Sequence, residues 1–218
     1  YQTMFDFEYT PLHNQELLVR NSEPTFTCRF IKRSFDITIC LALLPLVAVL
    51  SLVLLMVNPF QNPGKLFFAQ IRMGRNCKPF VAFKFRSMRK IAKITRGAHD
   101  PLELDRITKF GAILRCSRID ELPQLINVLR GDMSLIGPRP DYISHARQYV
   151  RQIPGYRALH SLHPSISGLA LTEIVYAAGV SAVACKVQVH LYYINNTSYA
   201  KERMIFWRTT MTRSLKPL

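Results

Sequence analysis

Three kinds of hydrophobic pattern follow one another along the chain. Residues 1–29 are mixed and polar, with little periodicity, and residues 37–57 form an apolar run interrupted only by two small polar residues. The pattern then changes to an alternation of period two, and later to the spacing of amphipathic helices. We therefore divide the chain into a polar extension (1–29), a membrane helix (30–60) and a folded domain (61–218).

Two paths through a bilayer are open to the membrane helix. About 20 apolar residues are enough to span a bilayer as a straight helix. Pro45 lies inside the run, however, and proline kinks or breaks a helix because it removes a helical hydrogen bond. Basic residues flank the run on both sides, so a spanning helix would leave one basic flank on the wrong side of the membrane. We expect a re-entrant helix that bends at Pro45, with a spanning helix as the alternative.

A β-hairpin is predicted directly after the membrane helix. Two runs of strand-forming residues, Leu66–Ile71 and Phe80–Phe85, flank the turn signal Gly74-Arg75-Asn76. In the second run apolar residues alternate with small or basic ones, Lys84 among them. This alternation is typical of a strand with one buried and one solvated face. Aromatic side chains next to cations also fit a strand that binds nucleic acid.

Helical spacing of apolar residues predicts four helices in the rest of the chain. They cover residues 105–114, 122–130, 142–153 and 198–215. Gly131 is well placed to end the second of them. The last has basic residues beside its apolar face, so it either lies in a headgroup layer or packs on the core. The expected fold class is α+β and mostly helical, with a short β-hairpin and interfacial amphipathic helices.

Charge narrows the class of partner. The formal net charge is +15 and the pI is about 10, which favours a polyanionic partner such as nucleic acid, an anionic membrane face or a phosphorylated substrate. The five cysteines show no CxxC spacing, which indicates free thiols in a reducing compartment. His160-x-x-His163 lacks a third ligand and does not predict a metal site.

The adjacent carboxylates Asp120 and Glu121 are the strongest candidate for chemistry. They come just before the predicted helix at residues 122–130, whose N-terminus carries a partial positive charge that attracts phosphate. Two neighbouring carboxylates repel each other, so we expect a divalent metal to hold them, with Arg115, Arg118 and Arg139 as supporting charges. The alternative is structural, with Asp120 capping the helix, Glu121 complementing its dipole and the arginines pairing with the two carboxylates.

The surrounding motifs resemble a known family. Asp120-Glu121-Leu122-Pro123-Gln124-Leu125 and Gly137-Pro138-Arg139-Pro140 are similar to motifs of the bacterial sugar transferases, and the resemblance extends from about Phe30 to the C-terminus. These enzymes are monotopic phosphoglycosyl transferases of exopolysaccharide and glycan assembly. The resemblance implies transfer of a sugar-1-phosphate from a UDP-sugar to a polyprenyl (undecaprenyl) phosphate, with release of UMP.

The resemblance also implies residue roles. Asp120 would be the nucleophile that forms a covalent phosphosugar-aspartate, and Glu121 would assist it. Both would hold Mg²⁺, while Lys84, Arg115 and Arg139 would bind substrate phosphates.

In the membrane helix, Lys32, Arg33 and Asp36 match the family's basic-basic-x-x-Asp start. Pro45 matches a kink at a Ser-Pro pair, although Leu44 replaces that serine. The implied location is the cytoplasmic face of the bacterial inner membrane, with anionic lipids as partners and no nucleic acid. A homodimer is one of the oligomeric states left open.

The family pattern weakens after His163. Residues 163–171 lose a basic residue, a glycine and a glutamine of the family motif, and His190 stands where an aspartate is usual. Two other hypotheses therefore remain beside the enzyme: a non-catalytic relative that acts as a membrane assembly scaffold, and a basic, membrane-anchored nucleic-acid-binding protein. Release of UMP separates the first from the enzyme, and steep salt dependence of DNA or RNA binding would support the second.

Overall fold

The computed structural model describes residues 26–62, 64–89 and 103–168, together with residues 183 and 187. Four α-helices and four short strands make up these parts. In chain order they are α1 (Phe26–Gln61), β1 (Phe67–Met73), β2 (Pro79–Phe85), α2 (Lys109–Cys116), α3 (Gln124–Arg130), β3 (Ser134–Ile136), α4 (Ile143–Gln152) and β4 (Ser165–Ser167). The mostly helical fold with one antiparallel hairpin is confirmed. The helix predicted over residues 198–215 lies outside the described residues.

Helix α1 is continuous over 36 residues and contains both Pro45 and Pro59. Proline in a helix costs a hydrogen bond, yet Pro45 does not break this one. Residues 29–61 are long and apolar enough to cross a membrane, and an 18-residue window within them has a mean hydropathy of 3.0. Most of this surface is exposed, as Leu52 and Met56 show at 62% and 74%.

The start of α1 is bonded to the folded domain through two of its polar residues. The Arg33 guanidinium donates hydrogen bonds to the carbonyl oxygens of Val128 (2.6 Å) and Leu129 (2.9 Å), at the C-terminal end of α3. The buried Asp36 carboxylate accepts hydrogen bonds from the Ser134 hydroxyl (2.7 Å) and the Leu135 amide (3.2 Å). A cation at a helix C-terminus is favourable because the last carbonyls lack partners there.

The end of α1 is bonded to the base of the hairpin. The Asn58 side-chain amide donates to the Gly64 carbonyl (3.0 Å), and that of Asn62 donates to the Arg86 carbonyl (2.7 Å). Asn58 and Asn62 are both buried. Both ends of the apolar helix therefore contact the same folded domain.

The hairpin forms where it is predicted, with slightly different strand limits. Strands β1 and β2 pair antiparallel over seven residues each, from Phe67↔Phe85 to Met73↔Pro79. A 3₁₀ turn connects them, in which Asn76 has φ 55°. Asparagine tolerates this left-handed conformation better than most residues, which agrees with its place in the predicted turn.

Three of the predicted helices lie within the described residues, and they begin four (α2), two (α3) and one (α4) residues later than predicted. The pattern from residue 105 predicts a helix to residue 114, but α2 begins at Lys109. Thr108 is the reason, because its extended backbone and its hydroxyl, which accepts from the Gly111 amide at 2.9 Å, cap the helix there. Helix α3 ends at Gly131 (φ 88°) as predicted, and α4 agrees with its predicted range within one residue at each end.

A second, parallel pairing joins β3 to β4 and has no counterpart in the predictions. It places residues 165–167, inside the stretch where the family pattern weakens, beside the Gly-Pro-Arg-Pro turn. The Gly137 amide donates to the Ser167 carbonyl (2.9 Å), and the Ser165 amide donates to the Pro138 carbonyl (2.8 Å). The backbone of this stretch therefore supports the turn.

The hydrophobic core lies between the hairpin, α3, α4 and the 3₁₀ turn at Tyr156–Ser161. Its most deeply buried large side chains include Phe85, Val128, Met133 and Tyr156. Tyr149 packs edge-to-face on Tyr156, with ring centroids 5.5 Å apart. This core holds the hairpin and the turn that follows α2 in fixed positions.

Candidate active site

Asp120 and Glu121 lie in a 3₁₀ turn, Ile119–Glu121, that directly precedes Pro123 and α3. Arg118, in the left-handed conformation (φ 56°), reverses the chain after α2. The residue that flanks the start of α3 is Pro123, and no side chain caps the helix there. The alternative in which Asp120 caps this helix is therefore wrong.

Glu121 is buried at the centre of a cluster of cations. Its Oε1 atom accepts from Lys84 Nζ at 2.8 Å and from Arg139 Nη2 at 2.5 Å, while Oε2 accepts from Arg139 Nη1 at 3.3 Å. Arg118 Nη1 lies 3.5 Å from Oε2. Burial alone would raise the pKa of Glu121, but Arg139 and Lys84 outweigh it and hold the pKa well below its usual range.

Lys84 reaches this cluster from the inner face of β2. Burial lowers its pKa to about 8, against the opposing effect of Glu121, while the nearby Arg139 and Arg72 lower it further. Lysine is a compact charge whose pKa responds readily to burial. Near neutral pH this lysine is still protonated, so Glu121 keeps two charged donors.

Arg139 is positioned by the turn in which it lies and by a residue that the sequence analysis did not single out, Arg72. Arg72 Nη1 donates to the Pro140 carbonyl at 2.5 Å, and Nη2 donates to Gln70 Oε1 at 2.8 Å. The Met73 amide donates to the Asp141 carbonyl at 3.1 Å. The turn is thereby attached to β1. Arg72 lies on the same face of the hairpin as Lys84, and this shared face is the signal that could have identified it.

Asp120 has a different environment, although it is nearly as buried as Glu121 (7% against 5% exposed). Within residues 103–168 and the hairpin, no hydrogen bond or ion pair reaches its carboxylate. Burial raises its pKa, with Lys84 acting against this, Glu121 adding to it, and Arg115 and Arg139 opposing it. Asp120 is thus a buried carboxylate with cations nearby and no bonded partner among the described residues.

The structure brings the predicted site residues together to different degrees. Lys84, Glu121 and Arg139 form one bonded cluster. Arg115, in the last turn of α2, influences Asp120 through its charge. Lys32 lies on α1 beside Arg33. Arg33 and Asp36 attach this helix to the folded domain.

Of the HxxH pair, His160 packs against the core. It is buried, and its ring centroid lies 5.3 Å from that of Tyr156. In the described ranges no group of three His, Cys, Asp or Glu side chains could hold a metal ion.

The donor atoms are compatible with a magnesium ion at Asp120. Mg²⁺ keeps several water ligands and is commonly held by one or two carboxylates together with substrate phosphates. The Asp120 carboxylate, which accepts no bond from the described side chains, can act as such a ligand. Both oxygens of Glu121 already accept from cations, so its assignment as a second ligand stays a prediction.

Comparisons with known proteins show which family the chain resembles. The model of the family described as bacterial sugar transferase matches residues 27–215. A UDP-N-acetylgalactosamine-undecaprenyl-phosphate N-acetylgalactosaminephosphotransferase of Aeromonas hydrophila is 38% identical over 202 residues, which are 92% of this chain and 47% of that protein. The chain therefore spans about half the length of this relative.

Two further relatives are covered more fully. The exopolysaccharide production protein PSS of Rhizobium leguminosarum bv. phaseoli is 35% identical over 84% of this chain and 94% of its own length. A UDP-glucose:undecaprenyl-phosphate glucose-1-phosphate transferase of Caulobacter vibrioides is 36% identical over 82% of this chain and 67% of its own. With the family match over 27–215, these likenesses show that the chain belongs to the bacterial sugar transferase family.

Proposed function

We propose that this protein transfers a sugar-1-phosphate from a UDP-sugar to undecaprenyl phosphate and releases UMP. The observation that carries the proposal is the contrast within one turn: Glu121 is bonded to Lys84 and Arg139, whereas the neighbouring Asp120 has no bonded partner in the described parts. A nucleophilic carboxylate needs free oxygens and nearby cations, and Asp120 has both. Two of the relatives are named for transfers to undecaprenyl phosphate, from UDP-N-acetylgalactosamine and from UDP-glucose.

The reaction proceeds in two displacements at one phosphorus atom. An Asp120 oxygen attacks the sugar-bearing phosphorus, the bond to the bridging oxygen breaks, and UMP leaves with that oxygen and its electron pair. An oxygen of the lipid phosphate then attacks the same phosphorus and displaces Asp120. Dividing the transfer in this way lets a soluble donor and a membrane-bound acceptor use one site in turn.

The cations lower the barrier to bringing two anions together. A carboxylate about 4 Å from one phosphate charge is opposed by about 4 kcal/mol at an effective dielectric constant of 20. Lys84, Arg115 and Arg139 all act electrostatically on Asp120. When the donor binds, their charges stabilise the pyrophosphate and the transition state. Arg139, with its planar fork, is suited to contact two phosphate oxygens at once.

A bound Mg²⁺ would supply further charge neutralisation at the pyrophosphate. Asp120 and the donor's phosphate oxygens are the groups that would hold it. Burial raises the pKa of Asp120, and the neighbouring cations act against this rise; a bound Mg²⁺ would act in the same direction as the cations.

For the membrane helix we propose a re-entrant path on the cytoplasmic face of the inner membrane. Asp36 contacts the folded domain at Ser134, and Asn58 contacts the base of the hairpin at Gly64. They are separated by about 33 Å if the helix is straight, at a rise of about 1.5 Å per residue. A helix that spans the bilayer would separate these ends by a membrane, and one domain could then not contact both.

Cysteine labelling in sealed vesicles tests this path. Single cysteines introduced on either side of residues 37–57 should react with an impermeant maleimide from the same side. Labelling from opposite sides would establish a spanning helix instead.

A donor panel tests the activity. The purified protein is incubated with Mg²⁺, undecaprenyl phosphate and each of several UDP-sugars, and UMP is measured. Release of UMP with at least one donor, and none with the Asp120→Asn variant, is expected. Because the relatives are named for different sugars, the panel also identifies the sugar. Lipid binding without UMP release from any donor would favour the assembly scaffold.

A further inference from the structure

The outer face of the hairpin, which is the face opposite the active site, is entirely apolar. Side chains of a strand alternate between its two faces. Lys84 faces Glu121, so residues one step away along β2 face outward. The register pairs the residues of this face as Phe67↔Phe85, Ala69↔Phe83, Ile71↔Val81 and Met73↔Pro79. Met73 and Phe85, at its two ends, pack into the hydrophobic core, so the surface that remains consists of Phe67, Ala69, Ile71, Pro79, Val81 and Phe83. We call this set the outer hairpin face.

A large part of this surface is exposed. Phe67, Ile71 and Val81 are 50%, 51% and 42% exposed. Three apolar side chains exposed together on two paired strands differ from the scattered hydrophobic residues of an ordinary protein surface. Contiguous apolar patches of this kind mark sites of interaction with a membrane or a protein.

The outer hairpin face begins only a few residues after the apolar surface of α1 ends. The Asn62 side chain, just after the end of α1, donates to the Arg86 carbonyl at the base of the hairpin at 2.7 Å. Phe60, in the last turn of α1, is 86% exposed, and Phe67 begins β1 a few residues later. Exposed aromatic residues thus continue from the end of the membrane helix onto the hairpin.

Charge favours a lipid surface over a second copy of the chain as the partner. Residues 65–86 contain six basic residues and no acidic one, and four of the six, Lys65, Arg75, Lys78 and Arg86, lie outside the active-site cluster. Lys65 and Lys78 are exposed at the base and the tip of the hairpin, and the Arg130 guanidinium lies 5.9 Å from the centroid of the Phe83 ring. Anionic headgroups attract such a set of cations, whereas two copies placed face to face would bring like charges together.

We propose that the outer hairpin face docks onto the anionic surface of the membrane, with Phe67, Ile71 and Val81 inserted at the headgroup boundary. This inference rests on the membrane location given in the proposed function. Lys84 and the inner face then lie directly behind the docked surface. Docking therefore sets the height of the active site above the bilayer, where the phosphate of the lipid acceptor lies.

Fluorescence quenching by brominated lipids tests the docking. The single tryptophan, Trp207, is first replaced by phenylalanine, and one tryptophan is then placed at Phe67, Ile71 or Val81. Gln148→Trp is the control, because Gln148 is exposed on α4 and is not part of the outer hairpin face. Each full-length protein is reconstituted into vesicles of phosphatidylcholine and phosphatidylglycerol with brominated acyl chains.

In these vesicles, tryptophan at position 71 or 81 should lose fluorescence and be protected from acrylamide. Tryptophan at position 148 should keep its fluorescence in the vesicles and be quenched by acrylamide. Vesicles of phosphatidylcholine alone should weaken the quenching at 71 and 81. If both positions are open to acrylamide and insensitive to brominated lipid, the proposal is overturned. Protection from acrylamide that grows with the protein-to-lipid ratio, without quenching by brominated lipid, would overturn it in favour of a second copy of the chain. UMP release by the unaltered protein, measured in parallel, separates failure of docking from failure of the proposed activity.

Discussion

The surroundings of Glu121 and those of Asp120 differ sharply, although the two residues are neighbours in one turn. Lys84 donates to one Glu121 oxygen and Arg139 to both, and the pKa of Glu121 is held well below its usual range, against the effect of burial. Asp120 is almost equally buried, and burial raises its pKa. The same cations therefore bind one carboxylate and only lie near the other.

This difference assigns separate tasks to the two residues. A buried carboxylate that is fully bonded holds its partners in place and is a poor nucleophile. A buried carboxylate with no bonded partner costs the fold free energy, and such a cost is typical of residues kept for function. Glu121 is expected to organise the cations and Asp120 to react, and the following variants test that division.

Asp120→Asn should have the largest effect on activity and little effect on stability. The amide cannot attack phosphorus, so UMP release should fall by roughly 10³-fold or more. Since folding opposes the charged form of Asp120, the neutral amide should leave the thermal midpoint unchanged or raise it. UMP assays and thermal unfolding in detergent measure the two effects. A strong loss of stability with residual UMP release would reverse the assigned roles.

Glu121→Gln should affect both properties. The neutral amide leaves Lys84 and Arg139 without a charged partner, and breaking a buried ion pair costs about 3 kcal/mol or more of unfolding free energy. Transfer should also fall severely because Lys84 and Arg139 lose their fixed positions. Denaturant unfolding in detergent checks the first effect. Stability equal to that of Asp120→Asn would contradict the structural task given to Glu121.

The pH dependence of transfer should depend on Lys84. Its pKa is lowered to about 8, so the rate should decline as the pH rises above 8 and the charge is lost. Lys84→Arg should move this decline to higher pH, because arginine stays protonated. Stability should not decline in the same range. The unfolded lysine keeps its proton up to a pH of about 10.5, so the unfolded state binds more protons than the folded state there, and the free energy of unfolding rises with pH. Identical pH profiles of the two proteins would exclude Lys84 as the titrating group.

Arg72→Lys should give the smallest effect. Lysine keeps the charge but cannot donate simultaneously to the Pro140 carbonyl and to Gln70, which should cost about 1 kcal/mol. The turn that carries Arg139 then loosens, and the KM for the donor should rise more than kcat falls. Titrations of donor concentration measure the two constants. A fall in kcat at unchanged KM would contradict a positioning role.

Local patterns predicted the parts of the molecule that are determined locally. The hairpin turn at Gly74-Arg75-Asn76 and the end of α3 at Gly131 follow from residues that favour those conformations. The start of α2 at Lys109 was predicted too early, because hydrophobic spacing does not reveal the hydroxyl cap of Thr108.

Local patterns could not predict contacts between residues that are far apart in the sequence. The parallel pairing of β3 with β4 joins residues about 30 positions apart. Arg72 contacts the turn 68 positions later. For the site, the motif identified Lys84, Glu121 and Arg139, but only the three-dimensional arrangement shows that Glu121 is bonded and Asp120 is not.

The most direct test of the account is intact-protein mass spectrometry after the protein is mixed with Mg²⁺ and a UDP-sugar that supports UMP release, without lipid acceptor. The account predicts an added mass equal to one sugar phosphate, located on Asp120 by peptide mapping and lost when undecaprenyl phosphate is added. Release of UMP with no adduct, or an adduct that persists in Asp120→Asn, would contradict the assignment of Asp120 as the nucleophile.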